Sequence, residues 1–338
     1  MMAAPCVAVL GAGAWGTTLA ALLAGQGVLT RLWVREPEVA AQIQATRVNE
    51  RFLSGVMLPP ALHATPDISE ALAGAHLLVL AVPSRWMRAS CREFAAVLGP
   101  QALPVVTVTK GLEIETGKRM SEVIAEELPH LSAIAALSGP NLAREIALGQ
   151  PAATVIASAD APLARWAQEL FWAPHFRPYT GVDLIGVEIC GAVKNVIALA
   201  AGICEGLGFG DNAKAALLTR AVAEIARLVD RLGGRAETVA GLAGIGDLIA
   251  TCASPFSRNH QVGLACGRGE DYREALGTSG QVAEGVFTAQ AVVRLARRLD
   301  VELPICEQVH AILFEGYPVR EAVAALMSRE RRSEHLTG

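Results

Sequence analysis

The first half of the chain alternates short apolar runs with longer Ala/Leu-rich segments whose apolar positions recur at helical spacing. Runs at 7–10, 30–34, 77–81, 105–109, 133–137, 154–157 and 176–179 read as strands; segments such as 15–26, 37–47 and 115–128 read as helices. The runs are short and apolar, which fits strands buried on both faces. Strand–helix alternation of this kind predicts an α/β fold with a mostly parallel, doubly wound sheet. Near Gly186 the rhythm changes. Helical periodicity takes over at 187–205, 213–232, 235–241, 259–268, 288–299 and 305–315, and Gly233-Gly234 stands where a left-handed cap is expected. The pattern predicts two domains, 1–186 and an all-helical 187–338, with no low-complexity linker or repeat.

Composition narrows the function classes. The 338 residues are 52% hydrophobic, enough for a large core and against disorder. A net charge of −4 gives no general attraction for nucleic acid or anionic lipid, so any anion site must be local. The 7 cysteines are odd in number and widely spaced without CxxC, which argues against a disulfide framework and a zinc site. Most are expected to be small buried hydrophobes in a reducing cytosol, with a single catalytic cysteine as the alternative. No basic n-region precedes the first strand, so no secretory signal is expected. The longest apolar stretch, 189–203, is interrupted by Lys194 and Asn195 and falls short of the ~20 residues of a membrane span. A buried helix is expected there.

The segment Gly11-Ala12-Gly13-Ala14-Trp15-Gly16 reads GxGxxG between an apolar strand and a helix. Gly11 would allow the tight turn, Gly13 close approach to a pyrophosphate, and Gly16 helix–strand packing. The helix N-terminus would then offer N–H groups and partial positive charge to phosphates. In its place at the first strand–helix turn, this motif points to a dinucleotide. After the second strand, Arg35 stands where an NAD site usually has an acid, and Glu36 follows. Arg35 suits a 2′-phosphate, with a solvated surface arginine as the alternative, so NADPH is favoured with NADH tolerated. Pro83 ends the third main strand, either beneath the dinucleotide or simply as a strand stop.

Three further segments set polar residues in apolar or glycine-rich surroundings. Lys110, in Thr109-Lys110-Gly111, lies at a strand's carboxyl end, where it would hold an anion or polarise a carbonyl, with a loop lysine in solvent as the alternative. Lys194 and Asn195 interrupt an almost wholly apolar helix; a buried ammonium there must face a polar cavity or neutralise, the alternative being a lysine that reaches solvent past its apolar neighbours. Asp247, in Gly244-Ile245-Gly246-Asp247, is either the electrostatic partner of Lys194 or an N-cap. Ser257-Arg258-Asn259 offers a guanidinium fork and two neutral groups before a helix, a set suited to phosphate, with capping by Ser257 as the alternative.

Taken together, GAGAWGTTLA, AVPSR, TKGLE, SGPNLAREI, GAVKNVIALAAGICEGLGFGDNAKAALLTR, GLAGIGDLIATC, SRN and VAEGVFTA run in order along nearly the whole chain. The chain thereby resembles the bacterial NAD(P)-dependent glycerol-3-phosphate dehydrogenases. The resemblance implies a Rossmann domain followed by a helical domain similar to that of 6-phosphogluconate dehydrogenase. It implies reduction of dihydroxyacetone phosphate to sn-glycerol 3-phosphate with NADPH or NADH, supplying phospholipid synthesis in the cytoplasm, and a homodimer. It implies Lys194 as proton donor and acceptor. Lys110, Gly139, Asn141, Asn195, Asp247, Ser257, Arg258 and Asn259 then fall at substrate positions. Ala14, Trp15, Arg35, Lys110, Ala143, Arg258, Val282 and Glu284 fall at cofactor positions. This chain has Ala14 and Asn141 where the family often has Ser. Ala14 keeps its backbone N–H, and Asn141 still offers a donor and an acceptor.

The resulting expectation is a ketone reduction in which Lys194 donates the proton while Lys110 and Asn195 orient the oxygen. Asp247 positions Lys194, and Arg258 with Asn259 holds the phosphate. A dehydrogenase for a substrate without phosphate would have less need of Arg258. A nicotinamide-binding sensor without turnover would have no need of a lysine inside an apolar helix.

Overall fold

The computed structural model describes residues 5–279 and 283–330. Eight strands, β1 (Cys6–Leu10), β2 (Leu29–Trp33), β3 (His63–Thr65), β4 (Leu77–Leu80), β5 (Val105–Thr107), β6 (Ile134–Ser138), β7 (Ala152–Ala157) and β8 (Phe176–Gly181), form one sheet. Their order is β3-β2-β1-β4-β5-β6-β7-β8. Every pairing is parallel except β6 with β7. Every residue of β1 is buried; Val7 and Val9 pack into one apolar layer, Ala8 and Leu10 into the opposite one. The doubly wound arrangement follows from strands that are apolar on both faces. Between β1 and β4 the strand order reverses, which opens a crevice at their carboxyl ends where such folds bind ligands.

Two local expectations are corrected. The polar, three-residue β3 carries no apolar run; it is recruited by pairing Arg31 to His63 and Trp33 to Thr65 at the sheet edge. The helix expected over 115–128 begins only at Met120. Gly117 turns at φ +69°, Leu112 bridges Arg119, and the Glu122 carboxylate reaches back to accept from the Arg119 amide at 2.9 Å at the helix start.

After β8 the described chain is helical. Leu184–Gly206 is buried from Gly186 to Ile203 and forms the axis around which the other helices pack. Arg258–Gly267 lies against it backbone to backbone. A Cβ on Gly202 would stand 2.1 Å from the His260 carbonyl oxygen, and one on Gly263 2.0 Å from that of Leu199. This approach brings Ser257-Arg258-Asn259 beside the central helix. Leu184–Gly206 is long and apolar enough to cross a membrane, but 89% of that span is buried inside the protein, so its apolar surface is used in packing. Ala236–Ala253 also passes by length and composition, and is interrupted by the π turn Leu242–Gly246. The central helix is tied to the sheet domain by Glu188. Its carboxylate accepts from the Ser121 amide at 2.8 Å, the Ser121 hydroxyl at 2.5 Å and Arg119 Nη1 at 2.7 Å.

Candidate active site

The glycine turn between β1 and the helix Ala14–Gly25 leaves space where a phosphate would stand. Gly11 has φ +119°, and a Cβ there would lie 2.8 Å from the Ala81 carbonyl oxygen; one on Gly16 would lie 2.0 Å from that of Gly11. Gly13, at the helix N-cap, has nothing within 4 Å of its missing Cβ and supplies no side-chain cap. The first turn of this helix has no side-chain cap for its amides and no acid. Trp15 Nε1 is buried without a hydrogen-bond partner. An uncapped helix start, a cradle that a Cβ would fill and an orphaned indole N–H fit a dinucleotide pyrophosphate. Asn49, a residue that motif reasoning passed over, fixes the turn by donating to the Ala12 carbonyl and Thr17 Oγ1, each at 2.9 Å.

Past β2, Arg35 is exposed and loosely paired to Glu36 at 3.4 Å. A second guanidinium, Arg51, reaches 3.9 Å from the same carboxylate and lies over Phe52. Arg51 comes from the small turn closed by the Asn49–Leu53 bridge. Nothing in the sequence pattern brought it to Arg35.

The catalytic candidates converge on one buried carboxylate. Asp247, 2% exposed, opens the helix Asp247–Ala253 and does not cap it. Its Oδ2 accepts Lys110 Nζ at 2.6 Å, and its Oδ1 lies 3.0 Å from Lys194 Nζ. Lys194, 6% exposed, also donates to Thr251 Oγ1 at 2.5 Å, and Lys110 donates to the Gly139 carbonyl at 2.9 Å. Gly191 makes room for Lys110: a Cβ there would stand 2.8 Å from Ser138 Oγ and 3.4 Å from Lys110 Cγ. Thr251 was missed, although its place four residues after Asp247 puts both side chains on one helix face. Burial pushes the Lys110 amine down to about 8 against the opposing pull of Asp247. Burial works to raise the Asp247 carboxyl, but the two ammonium groups outweigh it and hold the group below its ordinary range.

Asn195, next to Lys194, is oriented by a short chain of hydrogen bonds. The Gly285 amide donates to Asn259 Oδ1 at 2.9 Å, and Asn259 Nδ2 donates to Asn195 Oδ1 at 2.9 Å. Ser257 Oγ accepts from the His260 amide at 3.3 Å and caps the helix that Arg258 begins. Arg258 is exposed and Asn259 buried. Glu284 accepts from the Ser84 amide at 3.1 Å and from the Ser84 hydroxyl, just after Pro83. Burial raises the Glu284 carboxyl, opposed by Ser84 and by the nearby Arg85 and Arg258.

Asn141 points into the sheet domain. Its Nδ2 donates to Thr154 Oγ1 at 2.9 Å, and its Oδ1 is buried without a partner. Ala143 starts a short helix, and its carbonyl accepts from Thr18 Oγ1 at 3.1 Å on the helix that follows the glycine turn. Val282 lies outside the described residues. Among the described residues no cluster of three or more His, Cys, Asp and Glu side chains is arranged for a metal.

Comparison with known proteins gives consistent matches. Residues 6–164 match the model of the NAD-dependent glycerol-3-phosphate dehydrogenase N-terminus, and residues 183–324 match that of its C-terminus. The chain is 49% identical over 330 residues to glycerol-3-phosphate dehydrogenase (NAD(P)+) of Chlorobium limicola, covering 97% of this chain and 99% of that one. The corresponding protein of Thermobifida fusca is 50% identical over 331 residues, covering 97% and 98%. The crystal structure of glycerol-3-phosphate dehydrogenase from Coxiella burnetii superimposes with a TM-score of 0.93 at 39% identity, covering 96% of this chain and 99% of that one.

Proposed function

The chain belongs to the NAD-dependent glycerol-3-phosphate dehydrogenase family, and on that premise we propose that it reversibly reduces dihydroxyacetone phosphate to sn-glycerol 3-phosphate at the Lys110–Asp247–Lys194 cluster. It is an oxidoreductase that uses NADH or NADPH, and its product supplies glycerophospholipid synthesis. The observation that carries the reading is the single carboxylate between two lysines, buried where the central helix meets the carboxyl ends of the strands.

Bound nicotinamide supplies the hydride that reaches C2 of the ketone. Lys194, as ammonium, donates the proton to the developing alkoxide and, as the neutral amine, takes it back in oxidation. Lys110 and Asn195 orient the oxygen from a site that largely excludes water. Asp247 holds both amines in place and balances their charge. Arg258 and Asn259 hold the substrate phosphate, which fixes the reacting carbon. Gly139 and Ser257 complete this reading of the substrate site. On the cofactor side, Gly11, Gly13, Ala14, Trp15 and Gly16 receive the pyrophosphate, and Pro83, Ala143 and Glu284 border the crevice. A division between domains near Gly186, a homodimeric assembly and a cytoplasmic location are further parts of the proposal, supported by the family resemblance.

A steady-state assay following reduced nicotinamide absorbance tests the reading. Oxidation of NADH or NADPH is expected with dihydroxyacetone phosphate and not with dihydroxyacetone. Equal rates with both ketones would remove the phosphate-binding role. Cofactor preference rests on Arg35, with Arg51 beside it. The double variant Arg35→Ala/Arg51→Ala is expected to raise the NADPH KM by about tenfold while leaving the NADH KM within about twofold. Parallel changes for the two cofactors would exclude a 2′-phosphate site there.

A further inference from the structure

The two parts of the chain are fastened together at a point outside the lysine cluster. Ser84 and Arg85 follow the carboxyl end of β4; Glu284 and Phe287 lie in the first turn of the helix Glu284–Leu299. Beside the Ser84–Glu284 hydrogen bonds, the Arg85 guanidinium stands 5.1 Å from the centroid of the Phe287 ring and 5.2 Å from that of Trp86. It is held against two aromatic rings, one on its own segment and one on the helix Glu284–Leu299. The loop after β5 closes on the same place: a Cβ on Gly111 would lie 2.6 Å from Ser84 Oγ and 3.3 Å from Glu284 Oε2.

The contact continues inward. Gly285 donates its amide to Asn259, which donates to Asn195 beside Lys194. A Cβ on Gly285 would stand 2.5 Å from the Asn195 carbonyl oxygen, so this first helical turn is seated directly on the catalytic helix. One turn of helix therefore links the end of β4 to the Lys194–Asn195 pair.

We propose that Arg85 and Phe287 are positioning residues whose stacked contact clasps the helix Glu284–Leu299 to the end of β4 and so holds Glu284 at the edge of the cofactor crevice. The proposal rests on the functional reading only in taking the crevice beside β4 as the cofactor's. That crevice is where doubly wound sheets bind their ligands, and Ser84, gripped by the clasp, follows the strand that borders it. Neither Arg85 nor Phe287 is assigned a contact with substrate. Losing the clasp leaves the catalytic groups in place but frees the crevice walls, so the cost falls on cofactor affinity rather than on the chemical step.

The test compares Arg85→Ala, Phe287→Leu, the double variant, and the conservative Arg85→Lys and Phe287→Tyr. Hydrogen exchange at the Ser84 amide, measured without cofactor, is expected to quicken by about tenfold in the first two. The NADPH Kd from fluorescence titration is expected to rise by about three- to tenfold, with kcat at saturation within about twofold. The double variant is expected to be no weaker than the worse single one, since both remove the same contact. The conservative pair, keeping the cation and the ring, recovers most of the loss. Unchanged Ser84 exchange and Kd in Arg85→Ala and Phe287→Leu would overturn the clasp, as would failure of both conservative variants to recover. Exchange and Kd are read independently of turnover, so a chain inactive on dihydroxyacetone phosphate would refute the substrate and leave the clasp to be judged on its own readouts.

Discussion

Lys194→Ala is expected to lower kcat for dihydroxyacetone phosphate reduction by about a thousandfold, the middle of the range that a positioned general acid contributes. The NADPH Kd is expected to stay within about twofold, because the cofactor crevice is built from the glycine turn and strand ends rather than from this amine. The protein should remain folded: without Lys194, Asp247 still pairs with Lys110 at 2.6 Å, so the buried carboxylate keeps a counter-charge. That remaining pair separates loss of chemistry from loss of structure, and circular dichroism with fluorescence titration of NADPH checks both. A variant turning over within tenfold of the parent would show that some other group moves the proton.

The reach of the sequence differed from residue to residue for physical reasons. Lys194 was legible because an ammonium in an apolar helix has a high desolvation cost, and the structure places it beside an anion at 3.0 Å. The glycine turn was legible because its backbone conformation and close contacts exclude side chains at Gly11 and Gly16. The doubly wound sheet showed in its apolar strand runs; β3 did not, being three residues at an edge with little to bury. Residues that act through distant partners left weaker marks. Ser84 and Glu284 are 200 positions apart, and no spacing rule joins them. Arg51 meets Glu36 only because a short bridged turn brings it back to the end of β2. Thr251 was within reach, since helical periodicity alone places it beside Asp247. Asn141 shows the opposite case: a polar residue in a site motif whose amide is turned toward Thr154.

Asp247→Asn is expected to shift the pH dependence of the reaction and to destabilise the protein most in mildly acid solution. In the parent, Lys110 is protonated below pH about 8 and loses its proton as pH rises through that value. Reduction uses the ammonium to orient the ketone oxygen, so kcat/KM for dihydroxyacetone phosphate is expected to fall above pH about 8. The Asp247 carboxylate is what opposes the effect of burial on Lys110. Replacing it by a neutral amide removes that support, so the alkaline limb is expected to move about one to three pH units lower. The stability change has the same origin. The variant leaves two buried amines without their anion, a loss of about 3 kcal/mol for a broken buried pair. Because the folded Lys110 releases its proton at lower pH than the unfolded chain does, unfolded molecules bind more protons between those two values, and stability rises with pH across that window. Thermal unfolding of the variant should therefore lie furthest below the parent in mildly acid solution, below the lowered Lys110 value, and approach it as pH rises past about 8. A rate profile whose alkaline limb stays in place after this substitution would mean that Asp247 does not set the charge of Lys110.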